Sequence, residues 1–218
     1  MNTEFLQHTA LFRGFQTNEI EAAITHLGGH VKTFSKEMMI LHEGDFTDEM
    51  GIILSGSVTI ERIDYTGSRS ILAHNSTGHM FAETYAFLKN EALMVDVVAN
   101  EECEILFINL KRVQTPELKQ FSWYPTLLLN LLNISDHKNL KLSRRSFHTL
   151  SKHVRGRVLS YLTAQSRKCG SNEFDIPFNR QQLADYLNLD RSALSNELGK
   201  MRDEGMIEFH KNHFQMIQ

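Results

Sequence analysis

The sequence predicts an α+β chain: an antiparallel β-roll of jelly-roll type, then a long helix, then a C-terminal winged helix-turn-helix. Three stretches carry that prediction. Between Val31 and Ile108, short apolar strands alternate with turn-forming clusters. From Thr126, TLLLNLLNISDHKNLKL has helical periodicity and no breaker. Asn179–Glu204 reads as two short helices around a tight turn, followed by an alternating ribbon. The expected divisions are a β-roll over 1–120, the long helix over 121–148 and the winged domain over 149–218.

Taken in order, Phe5–Phe12 and Asn18–Leu27 are short amphipathic helices, with Gly28-Gly29 ending the second. Strands are expected at Val31–Phe34, Met38–Leu41, Gly51–Leu54, Ser57–Ile63, Ser70–Ala73, Val95–Ala99 and Cys103–Ile108. Glu43-Gly44-Asp45, Ser55-Gly56, Asp64–Gly67 and Thr77-Gly78 punctuate them with turn chemistry. Pro116 and Pro125 bracket the change to helix. In the long helix, Leu127, Leu131 and Ile134 form one stripe with Leu128 and Leu132 beside it. That is more apolar surface than the roll alone would cover, which points to self-association along the helix.

A second helix starts at Val154, Cys169–Asn172 is a loop, and Phe174–Pro177 is an extended entry to the hairpin. Asn179 and Gln182 have capping-box spacing, Asn188 stands where a left-handed residue ends a helix, and Asp190 can cap the next one. Leu194, Leu198 and Met201 recur at i, i+4 and i+7 on one face. Ser192, Ser195, Asn196, Gly199 and Arg202 lie on another, small and hydrogen-bonding. Such a helix suits a DNA major groove. Ile207–Phe209 and Phe214–Met216, joined through His210–His213, supply a two-stranded wing.

Bulk properties narrow the class. With 41% hydrophobic and 22% charged residues in 218, the chain is globular. No apolar run reaches membrane-span length and the start MNTEFLQHT lacks signal-peptide character, so a cytoplasmic protein without a membrane partner is expected. Net charge is −3, divided as −5 over residues 1–149 and +2 over 150–218. His137–Asn172 holds nine Lys and Arg and no acid, a solvated face in part and, beside a DNA reader, in part a phosphate-facing one.

Read together, the EGD turn (Glu43–Asp45), ILSGSV (Ile53–Val58), DYTG (Asp64–Gly67), GHMFAE (Gly78–Glu83) and RQQLADYLNLDRSALS (Arg180–Ser195) resemble the CRP/FNR family of bacterial transcription regulators. The resemblance spans nearly the whole chain. It implies a homodimer on a palindromic site in double-stranded DNA, an effector in the β-roll that shifts DNA affinity, and contact with RNA polymerase. It assigns base contacts to Arg191, Ser192, Ser195 and Asn196, and phosphate contacts to Arg180, Gln181, Lys200 and Arg202. Family members that read guanine and cytosine carry Arg-Glu at the start of this helix and a second Arg four to five residues on. Here the positions are Arg191, Ser192 and Asn196, so a different half-site is expected.

The effector region matches less closely. In the cyclic-nucleotide branch, a Gly-Glu pair is followed about ten residues later by an Arg-Ser pair that holds the phosphate. Here Ala82 precedes Glu83, and Leu93-Met94 replace Arg-Ser. An enclosed phosphate would lose its bidentate partner, at several kcal/mol. Cyclic AMP is not expected, and Glu83, Thr84, Lys89 and Met94 are the candidate effector residues for an unidentified molecule. No Cys occurs in residues 1–102, which excludes the iron–sulfur branch. The alternatives are a regulator without effector, its pocket filled by Phe81, Tyr85, Phe87 and Met94, a haem sensor using His74 or His79, and a cupin-like metalloenzyme. No nucleophile–base–acid set or phosphate loop is present, and the chain is not expected to be an enzyme.

Overall fold

The computed structural model describes residues 3–63, 65, 67, 69–88 and 90–217, which form two compact units, Met1–Ser135 and Asp136–Gln218. The first begins with α1 (Thr3–Gln7) and α2 (Thr17–His26), then β1 (His30–Phe34), β2 (Met39–Leu41), β3 (Glu49–Ser55), β4 (Ser57–Ile63), β5 (Arg69–Ser76) and β6 (Met80–Phe81). It continues through α3 (Glu83–Phe87), β7 (Asp96–Ala99), β8 (Cys103–Asn109), two 3-10 turns and the start of α4 (Tyr124–Thr149). The second holds the end of α4, then α5 (Val154–Cys169), β9 (Glu173–Asp175), α6 (Arg180–Leu187), α7 (Arg191–Asp203), β10 (Ile207–His210) and β11 (His213–Met216).

Among the described residues, the roll consists of two four-stranded antiparallel sheets, ordered β1-β8-β3-β6 and β2-β7-β4-β5. Alternation along β3 and β8 explains why both read as nearly continuous apolar runs: each is covered on both faces. Ile53, Cys103, Ile105 and Phe107 point between the sheets to Val58, Phe81, Val97 and Ala99. Met50, Ile52, Leu106 and Ile108 point the other way, onto Leu6, Ile20, Leu127 and Ile134 of the helices and Phe12 of the turn between α1 and α2. Asn130 of α4 fastens that helical layer, its side-chain amide donating to the carbonyls of Leu11 and Arg13, both at 2.8 Å.

The stripe Leu127, Leu131 and Ile134 is therefore taken up by the unit's own core. Its neighbours are not: Leu128, Leu129 and Leu132 are 38%, 60% and 57% exposed, and Leu140, Leu142, Phe147 and Leu150 are exposed further along. The expectation placed a boundary near Thr149, whereas contacts divide the chain between Ser135 and Asp136, inside α4.

The N-terminal helix is shorter than periodicity suggests, because the chain turns after Gln7 and Thr9 bonds back to the Leu6 carbonyl at 2.6 Å. In the second unit, α5 and α7 enclose one core with Tyr161, Leu162, Phe174, Leu183, Leu194 and Phe214. The wing is three-stranded, ordered β10-β11-β9: the extended entry at Phe174 pairs with β11, which a ribbon-only reading missed.

Phe81 places the tip of its ring over Gly51, its partner in the β3–β6 register, and a Cβ at Gly51 would sit 2.2 Å from the ring's Cζ. Gly51→Ala is expected to destabilise the roll by about 1–3 kcal/mol, because the ring that must give way is 1% exposed and packed edge-on against Phe107. A lowered Tm for the roll's unfolding transition checks this.

Candidate nucleic-acid interface

The local sequence builds the reader as a capped hairpin. At the start of α6, the Asn179 side chain accepts from the Gln182 amide and the Gln182 side chain accepts from the Asn179 amide, each at 2.9 Å. The reciprocal bonds satisfy two donors that a helix start leaves open. Asn188 ends α6 at φ 52°, in the left-handed region. Asp190 occupies the cap position of α7, yet its side chain makes no capping bond.

Leu194, Leu198 and Met201 of α7 are fully buried. The opposite side holds Arg191, Ser192, Ser195, Asn196, Lys200 and Arg202, all exposed. A Cβ added at Gly199 would meet nothing within 4 Å, so no packing inside the chain requires glycine there. Its helix-propensity penalty of about 1 kcal/mol is not repaid by any neighbour in this chain.

The cations divide by partner. Arg180, half-buried, lies over the wing rings, 4.9 Å from the Phe209 centroid and 5.8 Å from that of Phe214, and donates to the Lys211 carbonyl at 3.5 Å. Burial and the nearby Arg191 charge lower its pKa. Arg202 lies 5.9 Å from the Phe209 centroid and pairs with Asp203 at 3.1 Å. Gln181 donates to Asp185 at 2.8 Å. The wing-tip Lys211, absent from the sequence expectation, is brought beside Asn179 and Arg180 along an open groove of about 510 Å³. Its only sequence signal was a basic residue in the predicted wing turn, which His210 and His213 obscured.

The basic run does not present a uniform phosphate-facing stripe. Three of its arginines are engaged inside the unit. Arg155 of α5 bonds Glu197 and forms a two-pronged pair with Glu204, at 2.7 and 2.8 Å, bracing α7 from behind. Those bonds raise the Arg155 pKa, and the Arg155 bond in turn lowers that of Glu204. Arg157 and Arg145 donate to carbonyls at the end of α6. A cation at a helix C-terminus also complements the helix dipole.

The effector candidates lie in the first unit. Glu83 opens α3, half-buried, preceded by Ala82 at φ 62°. This is the backbone geometry that the expected glycine would adopt freely and alanine adopts at about 1–2 kcal/mol. Leu93 is 2% exposed, and its backbone bonds both ways with the Glu43-Gly44-Asp45 turn, at 2.7 and 2.8 Å. Met94 beside it is 63% exposed and Thr84 is exposed, while Lys89 lies outside the described residues. Phe81 is buried but Phe87 is 42% exposed, so the four side chains proposed to plug a pocket do not converge on one. His74 contacts the Thr59 hydroxyl at 3.0 Å and His79 the Ser76 carbonyl at 3.1 Å. Among the described residues, no group of three or more His, Cys, Asp and Glu side chains is arranged to hold a metal ion, and no helix is long and apolar enough to cross a membrane.

A β-roll and a winged helix-turn-helix in one chain are the two domains of a CRP-like transcription regulator. Residues 31–115 match the cyclic nucleotide-binding domain and residues 156–218 the Crp-like helix-turn-helix domain. The cAMP-activated global transcriptional regulator CRP of Pasteurella multocida is 22% identical over 185 residues, 83% of this chain and 87% of that protein. The Haemophilus influenzae CRP is 18% identical over 192 residues, 86% and 83% of the two chains. Among solved structures, the Thermus thermophilus catabolite activator protein superposes with a TM-score of 0.54 at 22% identity, covering 95% of this chain and 93% of its own. CprK complexed with OCPA gives 0.66 at 13% identity, covering 92% and 91%. The c-di-GMP-responsive regulator CLP of Xanthomonas campestris gives 0.60 at 19%, covering 93% and 100%. The chain belongs to the CRP/FNR family, distant from its cAMP-binding members.

On the wing sheet, His213 contacts Asp175 through Nδ1 and Glu173 through Nε2, both at 3.0 Å, and these bonds raise its pKa. A raised folded pKa means the clamp contributes fully below the ordinary imidazole range and is lost as pH rises through the elevated value. Hydrogen exchange of the β9–β11 amides is expected to quicken, beyond the intrinsic pH effect, over that window in the native chain and not in His213→Asn.

Proposed function

We propose that the chain is a sequence-specific DNA-binding transcription regulator that acts as a homodimer on a palindromic site. The observation that carries this reading is the two-sidedness of α7, with Leu194, Leu198 and Met201 fully buried and Ser192, Ser195, Asn196 and Gly199 turned to open space. In this reading α7 enters the major groove. Asn196 suits an adenine edge, Arg191 a guanine or a phosphate, and the absence of a side chain at Gly199 allows close backbone approach. Arg180, Gln181, Lys200, Arg202 and the wing-tip Lys211 set the register on phosphates. The exposed leucines of α4 supply the twofold contact, placing paired readers about one DNA turn, ~34 Å, apart. RNA polymerase is the expected protein partner at the promoter.

The effector is a small molecule other than cAMP. Leu93-Met94 provide no guanidinium for a cyclic phosphate, and Leu93 is committed to the Gly44–Asp45 turn. Proteins similar to this chain are described as cAMP-activated, as c-di-GMP responsive and as complexed with OCPA, which supports a ligand chemistry that varies among them. An abundance-controlled regulator without effector is the second reading; native mass spectrometry with an absorption spectrum on freshly purified protein separates the two and reports subunit count and any haem.

Gel shifts over a salt series with half-site variants test the DNA contacts. Asn196→Ala is expected to relax sequence preference by about 1–3 kcal/mol at one position. Arg180→Ala and Lys211→Ala are expected to weaken all sequences alike, Lys211→Ala reducing the salt slope by about one. Equal effects of Asn196→Ala and Lys211→Ala on every sequence would refute the assignment.

A further inference from the structure

The turn between α6 and α7 is held by two guanidinium groups from two different helices. Arg157 of α5 donates to the carbonyls of Leu187 at 3.1 Å and Asn188 at 2.7 Å, and to that of Ser151 at 2.8 Å. Arg145, near the end of α4, donates to the carbonyls of Tyr186 at 3.0 Å and Asp185 at 2.8 Å and to the Asn188 side chain at 3.2 Å. Its guanidinium carbon also lies 5.8 Å from the Tyr186 ring centroid. Carbonyls in the last turn of a helix lack the usual partner four residues on, so the arginines supply donors there, to Tyr186, Leu187 and Asn188 and, beside the Asn188 amide, to Asp185. The planar fork lets Arg145 reach its three acceptors from two separate nitrogens in fixed directions, a geometry that an ammonium, with its donors on a single nitrogen, does not reproduce. His148, one turn further along α4, meets Ser160 of α5 at 3.1 Å and sets its ring 6.1 Å from that of Tyr186, a packing contact that leaves the backbone acceptors at the end of α6 to the two arginines. The stretch of α4 that carries Arg145 also carries exposed Leu140, Leu142 and Phe147.

We propose that Arg145 is a positioning residue that fixes the angle between the dimerising stretch of α4 and the reader of the same protomer. It thereby sets which half-site spacing a pair of readers accepts. This rests on the dimeric, palindrome-binding reading above. Arg157 has a different effect: it ties the turn to α5, so its loss loosens each reader without releasing it from α4.

The test uses the full chain and a random-sequence duplex pool to select the bound site. The selected half-sites are then presented in duplexes whose spacer is one or two base pairs longer or shorter, and Kd is read by fluorescence anisotropy. The native chain is expected to lose about tenfold or more on a two-base-pair change, because spacing follows from fixed geometry. Arg145→Gln is expected to lose less than about threefold on the same change, with Arg145→Lys between the two, since a lysine replaces the fork by one or two bonds. Arg157→Gln is expected to weaken every duplex while keeping the native spacing profile. Circular dichroism melts establish which variants are folded, and Arg145→Lys decides the matter if Arg145→Gln is not. A native spacing profile in the folded Arg145 variants overturns the proposal. Selection of no paired half-sites by the native chain overturns the dimeric reading itself, and the role of Arg145 falls with it.

Discussion

A helix that reads DNA has to be held from one side only. In this chain α7 meets that constraint through three fully buried side chains, Leu194, Leu198 and Met201, and through Arg155, which grips Glu197 and Glu204 from α5. The apolar contacts supply most of the energy, about 1.5–3 kcal/mol for each large side chain removed from water. The ion pairs are partly exposed and individually weak. Their contribution is geometric, because a fork bonded at two points along the helix resists rotation in a way that methyl groups do not. Everything else in the second unit serves that constraint. The Asn179–Gln182 capping box starts α6, Asn188 permits the tight turn, Arg145 and Arg157 close its end, and β9 stiffens the wing.

Much of the reader was legible because its signals are local. Capping-box spacing, a left-handed Asn and an i, i+4, i+7 apolar face are properties of a few adjacent residues, and each took the position its chemistry dictated. The roll was legible for a similar reason: turn clusters separated its strands, and β4 was bounded to the residue. The losses came where tertiary contact overrides local preference. The two-residue strand β6 and the short helix α3 are too brief to carry a period, and β9 exists only because β11 lies beside it. The stripe of leucines on α4 was visible, but which of them faced the chain's own core depended on Asn130 and the helical layer.

The basic run over residues 137–172 shows the limit most clearly. Composition counts charges and cannot say which are already partnered. Arg145, Arg155 and Arg157 are structural cations, engaged with α6 and α7 rather than facing solvent or phosphate alone. Conversely, Lys211 stood outside the basic run and joins Arg180 at the groove beside α6. In the roll, Ala82 stands in a left-handed conformation that glycine would adopt freely, and Leu93 is buried beside exposed Met94, with no guanidinium at either position.

The central claim is that the uncovered face of α7 meets base edges. A photo-cross-linking residue placed at Ser195 in the full chain, irradiated with a duplex carrying the selected site, addresses it directly. The account predicts cross-links to bases in both half-sites, and little or none when the same group stands at Glu21 on the outer face of α2. Cross-linking to DNA no greater from position 195 than from position 21 would contradict it.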